Sequence, residues 1–245
     1  MANRIRVYEP DLISQEHPTL TGENHHYLTH VHRVHPGDQV ILFGKENREA
    51  IGRVVVVNAS EIELERLDIQ EATTESASDL TLVVAVGKGK KLEEIVEATT
   101  ALGVSSIIPF VGERSVARKS NPRLPERLRC IAVDASRQSG RTQIPIIHPV
   151  AETLGDTLYS DVLAKGTNPL MLDENGGVPV REAVKLVDVG EGMSLFCGPE
   201  GGWSDGERTQ LLEHGAVQVS LGPRILRTEL AATVAVALFE RLLSE

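Results

Sequence analysis

The residues best placed to do chemistry lie between Met193 and Glu245, in two successive units of one kind. Met193-Ser-Leu-Phe-Cys197 is an apolar run, Gly198-Pro-Glu-Gly-Gly202 a glycine-rich loop, and Ser204 a helix start. The run Val217 to Leu221, the loop Gly222-Pro-Arg-Ile-Leu-Arg227 and a helix start at Thr228 repeat the pattern. Glycine allows a ligand to approach the backbone closely. Two such loops at the carboxyl ends of neighbouring strands would form one crevice, where open α/β sheets bind ligands. The same loops also read as tight connections and nothing more. They match neither Gly-x-x-x-x-Gly-Lys-Ser/Thr nor Gly-x-Gly-x-x-Gly, and Pro199 has no N–H to give a phosphate. A triphosphate or dinucleotide is therefore disfavoured, while an adenosine-type ligand held by backbone groups stays open.

The elements that must position these loops follow from local signals. Ser204 and Glu207 have the spacing of a capping box, and Gly215 stops the helix that they start. Upstream, Leu80 to Val86 is a nearly continuous apolar run, as for a strand buried on both faces. Lys91 to Leu102 carries apolar residues at helical period, and Ser105 to Phe110 is the next strand. Pro125 opens a helix running to Gly140, and Glu152 to Ala164 is another. Pro169 to Asp173 is a strand and Val180 to Val187 a short helix. Alternating strands and helices predict a mainly parallel sheet. The last helix, Leu230 to Phe239, is apolar on every side except at Thr233 and must be buried. A second subunit is the simplest cover, and burial within one subunit is the alternative.

Residues 1–72 have a different grain. Arg4 to Val7, Gln39 to Phe43, Ala50 to Val57 and Glu61 to Leu67 read as short strands, with one helical stretch from Asn24 to Val34. This predicts a small β-barrel domain, followed over 73–245 by the α/β domain, with the Thr/Ser/Ala-rich stretch from Glu71 to Asp79 as linker. Six of the eight histidines lie in the first domain, five of them at positions 25, 26, 30, 32 and 35. His26 and His30 share a helix face, but no Glu completes a His-Glu-x-x-His motif, so no metal is expected.

The 245-residue chain has a formal net charge of −10 and 41% hydrophobic residues. The overall charge argues against nucleic acid, which needs cations, but the charge is segregated. Arg114, Arg118, Lys119, Arg123, Arg127, Arg129, Arg137 and Arg141 stand against only Glu126 and Asp134, with Lys88, Lys90 and Lys91 just upstream. This basic middle reads either as a solvated face or as an RNA-facing surface. Two distant cysteines allow no disulfide framework. No apolar stretch is long enough to span a membrane, and a cytosolic, reduced setting is expected.

Taken together, Gly198-Pro-Glu-Gly-Gly-Trp-Ser-Asp-Gly-Glu207 and Leu221-Gly-Pro-Arg-Ile-Leu-Arg-Thr-Glu229 resemble the ribosomal RNA small subunit methyltransferase E family. The likeness runs the full length, through His25-His26-Tyr-Leu with Val31-His-Arg33, Glu97 to Val104, Glu113-Arg-Ser115, and Gln138-Ser-Gly-Arg141 with Pro145. It implies a SPOUT-type knotted, mainly parallel sheet flanked by helices, preceded by a PUA-like β-barrel. It also implies S-adenosylmethionine as methyl donor, N3 of a uridine in 16S ribosomal RNA or the small subunit as acceptor, and a homodimer.

Carried over by position, the donor would be held by Leu172, Gly198, Pro199, Glu200, Gly201, Gly202, Leu221, Gly222, Ile225, Leu226 and Arg227. The expected RNA surface is Arg33, Lys88, Lys90, Arg114, Arg118, Lys119 and Arg123. Removal of the N3 proton leaves charge on the flanking carbonyls. Arg227 and Arg141 are candidates to stabilise it, with Glu200 or Glu229 as proton acceptor or orienter. Either arginine could instead contact an RNA phosphate. Arg137 stands where the family usually has Glu, and Leu230 where it usually has Thr. A SPOUT enzyme acting on another nucleotide, or a non-catalytic RNA-binding protein, are the alternative readings.

Overall fold

The structure is a computed structural model and describes residues 5–45, 47–72, 74–76, 79–115, 123–157 and 167–243. By packing, the chain forms two units. One comprises Met1–Glu75 with Ser136–Ile144; the other comprises Ser76–Ala135 with Pro145–Glu245.

The first unit contains β1 (Ile5–Tyr8), β2 (Thr19–Thr21), α1 (Gly22–His26), a π-helical turn at Tyr27–His32, β3 (Gln39–Lys45), β4 (Arg48–Val57) and β5 (Glu61–Glu71). The sheet order is β1-β3-β4-β5-β2, with β1 parallel to β3 and every other pair antiparallel. Alternation along β5 sends Ile62 and Leu64 inward and Glu63 and Glu65 outward, as a half-buried strand requires. The inward residues pack with Val7, Leu20, Leu28, Val40 and Leu42. Two register shifts along β4 and β5, at Ile51/Gly52 and Val54/Val56, mark bulges that bend the long hairpin.

The helical stretch expected from Asn24 to Val34 is thus divided between α1 and the π-helical turn, which Arg33 ends with φ of 53°. His26 and His30 stack there, with ring centroids 4.1 Å apart and planes 19° apart. Rings stacked in this way point their nitrogens along parallel planes, so they do not converge on one ion.

The segment Ser136–Ile144 brings two arginines into this unit, a return that the sequence pattern did not signal. Arg137 lies over the Tyr27 ring at 4.7 Å and donates to Asn24 Oδ1 at 3.1 Å. Arg141 is 5% exposed. Its Nε and Nη2 both donate to Glu75 Oε2, at 3.1 and 2.9 Å. Glu75 Oε1 accepts from the amides of Thr142 and Gln143 at 2.6 and 2.9 Å.

Burial pushes the Glu75 carboxyl up, but the Arg141 guanidinium and those amides outweigh it and hold Glu75 below the ordinary carboxylate range. A depressed folded-state pKa adds stability that is complete above the unfolded value, near pH 4, and is lost as pH falls through the folded one. Glu75→Gln leaves a buried guanidinium unpaired and should cost about 3 kcal/mol at pH 7. Urea titrations at a series of pH values should show this gap to the wild type closing below about pH 4. A gap unchanged at low pH would contradict the ion pair.

The second unit follows the expected α/β alternation. Its elements begin with β6 (Leu80–Ala85), α2 (Lys91–Ala101), β7 (Ser106–Phe110), α3 (Leu124–Ser139), whose last turn joins the first unit, and β8 (Ile146–Ile147). They continue with α4 (Leu154–Thr157), β9 (Asn168–Leu172), β10 (Val178–Pro179), α5 (Val180–Lys185), β11 (Met193–Cys197), α6 (Asp205–Glu213), β12 (Val217–Ser220) and α7 (Thr228–Leu243). Residues 158–164 of the expected helix from Glu152 lie outside the described residues.

The seven strands lie in the order β10-β12-β9-β11-β6-β7-β8, and every pairing is parallel. β6, β7 and β11 are buried along their whole length, which is why their sequences carry so few charges. One core gathers Val83, Phe110, Met171, Phe196, Trp203 and Leu211. On α7 only one stripe, Ala232, Ala235, Val236 and Phe239, is buried with Thr228, while Leu230 and Leu238 on other faces are half exposed. The expectation of all-round burial is therefore met on one side within this chain.

Candidate functional site

The loops after β11 and β12 do share a hollow, but their strands are not neighbours. β9 lies between them, so three strand ends build the site. An open cleft is lined by Leu172, Asp173 and Glu174 from β9 and its loop, Cys197 to Pro199 with Gly202 and Trp203, and Leu221, Gly222, Arg224 and Leu226. Thr228 and Ala231 of α7 complete it. Leucines and the indole line the interior, while charged groups from Glu174 and Arg224 stand exposed at the rim.

The walls are held by specific contacts. Ser204 Oγ accepts from the Glu207 amide and Glu207 Oε2 from the Ser204 amide, each at 3.0 Å, completing the expected capping box of α6. Glu207 Oε1 takes a further hydrogen bond from the Glu113 amide at 2.9 Å. Gly202 N–H donates to Pro199 O at 2.9 Å, which closes the loop as a turn. Thr228 Oγ1 donates to Gly198 O at 3.3 Å and links the two halves of the cleft. Gly198 is required sterically, since a Cβ there would sit 2.9 Å from the Trp203 ring. Asp173 faces the cleft, but its carboxylate is occupied by Arg208, by Gln218 Nε2 at 3.0 Å and by the Asn175 amide at 2.9 Å.

Of the residues expected to hold the donor, Leu172, Gly198, Pro199, Gly202, Leu221, Gly222 and Leu226 line the cleft. Glu200, Gly201, Ile225 and Arg227 are not among its lining, and Ile225 is 79% exposed between two residues that are. Trp203, Glu174 and Arg224 were missed. Proximity in sequence to the two glycine loops was the available signal for Trp203 and Arg224. Burial pushes the Cys197 thiol up to about 12, with the Glu229 charge adding to it. It therefore stays protonated at neutral pH and is no nucleophile.

Among the charged candidates, Glu200 and Glu229 share the Lys91 ammonium, at 3.1 and 3.5 Å. Arg227 is exposed and shows no ion pair among the described residues. Arg141 belongs to the buried Glu75 pair of the first unit, whereas the cleft lining comes wholly from the second. The Arg141 guanidinium is thus held in that pair. Arg114 is not purely a surface cation, because its Nη1 donates to Gly201 O at 3.3 Å. Arg33, Lys88, Lys90 and Arg123 are exposed, and Arg118 and Lys119 lie outside the described residues. Arg127, from the same basic run, pairs with Glu93 at 2.8 Å.

Residues 74–240 match the model of the RNA methyltransferase domain. A ribosomal RNA small subunit methyltransferase E of Synechocystis is 32% identical over 245 residues, covering 99% of this chain and 78% of the relative. The chain belongs to this family. The Bacillus subtilis member is 30% identical over 232 residues, covering 91% of this chain and 90% of its own. The Neisseria gonorrhoeae member, solved bound to S-adenosylmethionine, superposes with a TM-score of 0.89 at 28% identity and covers 98% of both chains. Family membership thus extends over both units, not only the half that carries the cleft.

Proposed function

We propose that this chain transfers a methyl group from S-adenosylmethionine to N3 of a specific uridine in 16S ribosomal RNA, in the cytoplasm. The observation that carries this reading is the cleft at the ends of β9, β11 and β12, in a chain that superposes over 98% of its length on a donor-bound relative. The cleft fits such a donor. Leu172, Leu221, Leu226 and Trp203 offer an apolar slot for an adenine, and Glu174 and Arg224 at the rim match the charges of an amino-acid tail. When bound, S-adenosylmethionine supplies a methyl already made electrophilic by its sulfonium, so the protein's part is chiefly alignment.

The chain's own groups then divide the remaining work. The N3–H proton must leave for the methyl carbon to pass from the donor sulfur, which departs as a neutral thioether, to N3, and the pyrimidine charge falls on its two flanking carbonyl oxygens. Arg227 stabilises that charge. Glu229 is the better acceptor for the proton. Its Oε2 is buried and accepts no hydrogen bond, whereas Glu200 already accepts from the Lys88 amide at 3.3 Å. Burial raises the Glu200 pKa, but amide hydrogen bonds and Lys91 overcome this and hold it low, which makes Glu200 a weak base.

The reading carries with it a SPOUT-type trefoil knot over 73–245, a PUA-like RNA-binding barrel over 1–72, and a homodimer. The half-exposed Leu230 and Leu238 of α7 support the dimer, since apolar helix faces of this kind are usually covered. Sedimentation should give twice the chain mass for the wild type and a shift toward monomer for Leu238→Asp. Mass spectrometry of ribosomal RNA from a deletion strain tests the activity. One methyl should be lost from N3 of a single 16S uridine and return with the plasmid-borne gene. Unchanged 16S RNA would defeat the reading.

A further inference from the structure

Glu200 lies in the loop after β11, Glu229 in the first turn of α7, and Lys91 at the first position of α2. One ammonium therefore joins three segments that are far apart in the chain. It stands 3.1 Å from Glu200 Oε1 and 3.5 Å from Glu229 Oε2. Room for the contact is built in at Gly87, where a Cβ would lie 3.0 Å from Glu200 Oε1 and 3.4 Å from the Lys91 side chain. Glu229 Oε2 is buried without a hydrogen bond, so Lys91 is the cation that neutralises it among the described residues. Gly198 and Pro199 in the loop that carries Glu200, and Thr228 and Ala231 beside Glu229 on α7, all line the cleft.

We propose that Lys91 is a positioning residue of the donor cleft. Its ammonium, shared by Glu200 and Glu229, fixes the Gly198–Gly202 loop against the start of α7 and so holds the two walls at their working separation. The part that concerns the donor rests on the reading of the cleft given above. Electrostatics support the geometry, because the hydrogen bond to Glu200, with both carboxylate charges, raises Lys91 above its ordinary value and keeps it charged. Without the cation the two carboxylates stand uncompensated.

The test is amide hydrogen exchange on the full chain, together with calorimetry using S-adenosylmethionine. The Gly202 amide, bonded to Pro199 O at 2.9 Å, reports on the loop. Lys91→Met should speed its exchange about tenfold and weaken donor binding about tenfold, the effect of losing one moderately exposed charge network. Lys91→Arg should keep both within about threefold of wild type.

Unchanged Gly202 exchange in Lys91→Met overturns the proposal, as does an arginine variant no better than methionine. If Gly202 exchange responds as expected but the wild type binds no S-adenosylmethionine, the clamp stands and the donor reading falls. Should Lys91→Met fold poorly, Glu229→Gln alone removes one arm and should give an intermediate, about threefold, rise in Gly202 exchange.

Discussion

Arg227→Ala should lower single-turnover methyl transfer about 10²–10³-fold, the size seen when one preorganised donor to a developing oxyanion is removed. Donor affinity should stay within about threefold. The split follows from where Arg227 lies. It directly precedes α7, its carbonyl accepting the Ala231 amide at 2.8 Å, and its side chain is exposed without an ion pair among the described residues. It is absent from the lining of the cleft, so its loss removes little from the donor's surroundings.

A competing role as a phosphate contact makes a different prediction. There the apparent affinity for small ribosomal subunits would fall and its salt dependence would lessen by about one counterion, while the rate at saturating RNA would hold. Single-turnover rates at saturating small subunits, repeated at several salt concentrations, separate the two. Arg227→Lys keeps the charge but loses the planar fork, and it should recover RNA affinity more fully than rate.

The contrast between Arg227 and Arg141 shows what sequence alone could and could not reveal. Both stand in family motifs and both looked like cations available for chemistry. Arg141 is instead locked to Glu75, because Ser136–Ile144 returns to pack with the first unit, and no local pattern announces such a return. Features governed by neighbours in the chain were legible. The Ser204–Glu207 capping box forms as its spacing implies, and the uninterrupted apolar runs of β6 and β11 are buried on both faces.

Features governed by strand order were not legible. Nothing in the two glycine loops says that β9 lies between their strands; Leu172 at its end was expected in the site, but Glu174, two residues further on, was not. Lys91 was hidden for the same reason. Its partners are assigned by the sheet that sets α2 beside the ends of β11 and α7, not by any spacing along the chain.

The tryptophan at 203 joins these two levels, and its replacement should have the largest effect on stability. Its indole is 4% exposed and belongs to the core with Val83, Phe196 and Leu211. It lies parallel to Phe110 at 5°, with centroids 6.0 Å apart. Its Nε1 donates to Leu172 O at 2.8 Å, and its outer face forms part of the cleft wall.

Trp203→Ala should therefore cost about 3–5 kcal/mol in urea unfolding, the usual range for emptying a large aromatic site. It should also weaken S-adenosylmethionine binding about 30-fold or more, equivalent to about 2 kcal/mol. Trp203→Phe should retain most of the packing but leave Leu172 O without its donor, at about 1–2 kcal/mol. Trp203 is the only tryptophan in the chain, so in the wild type its fluorescence reports cleft occupancy directly. A donor titration that binds by calorimetry yet leaves this emission unchanged would place the donor away from the β9–β11–β12 cleft. A Trp203→Ala protein as stable as wild type would show that the indole is not part of the core holding the cleft wall.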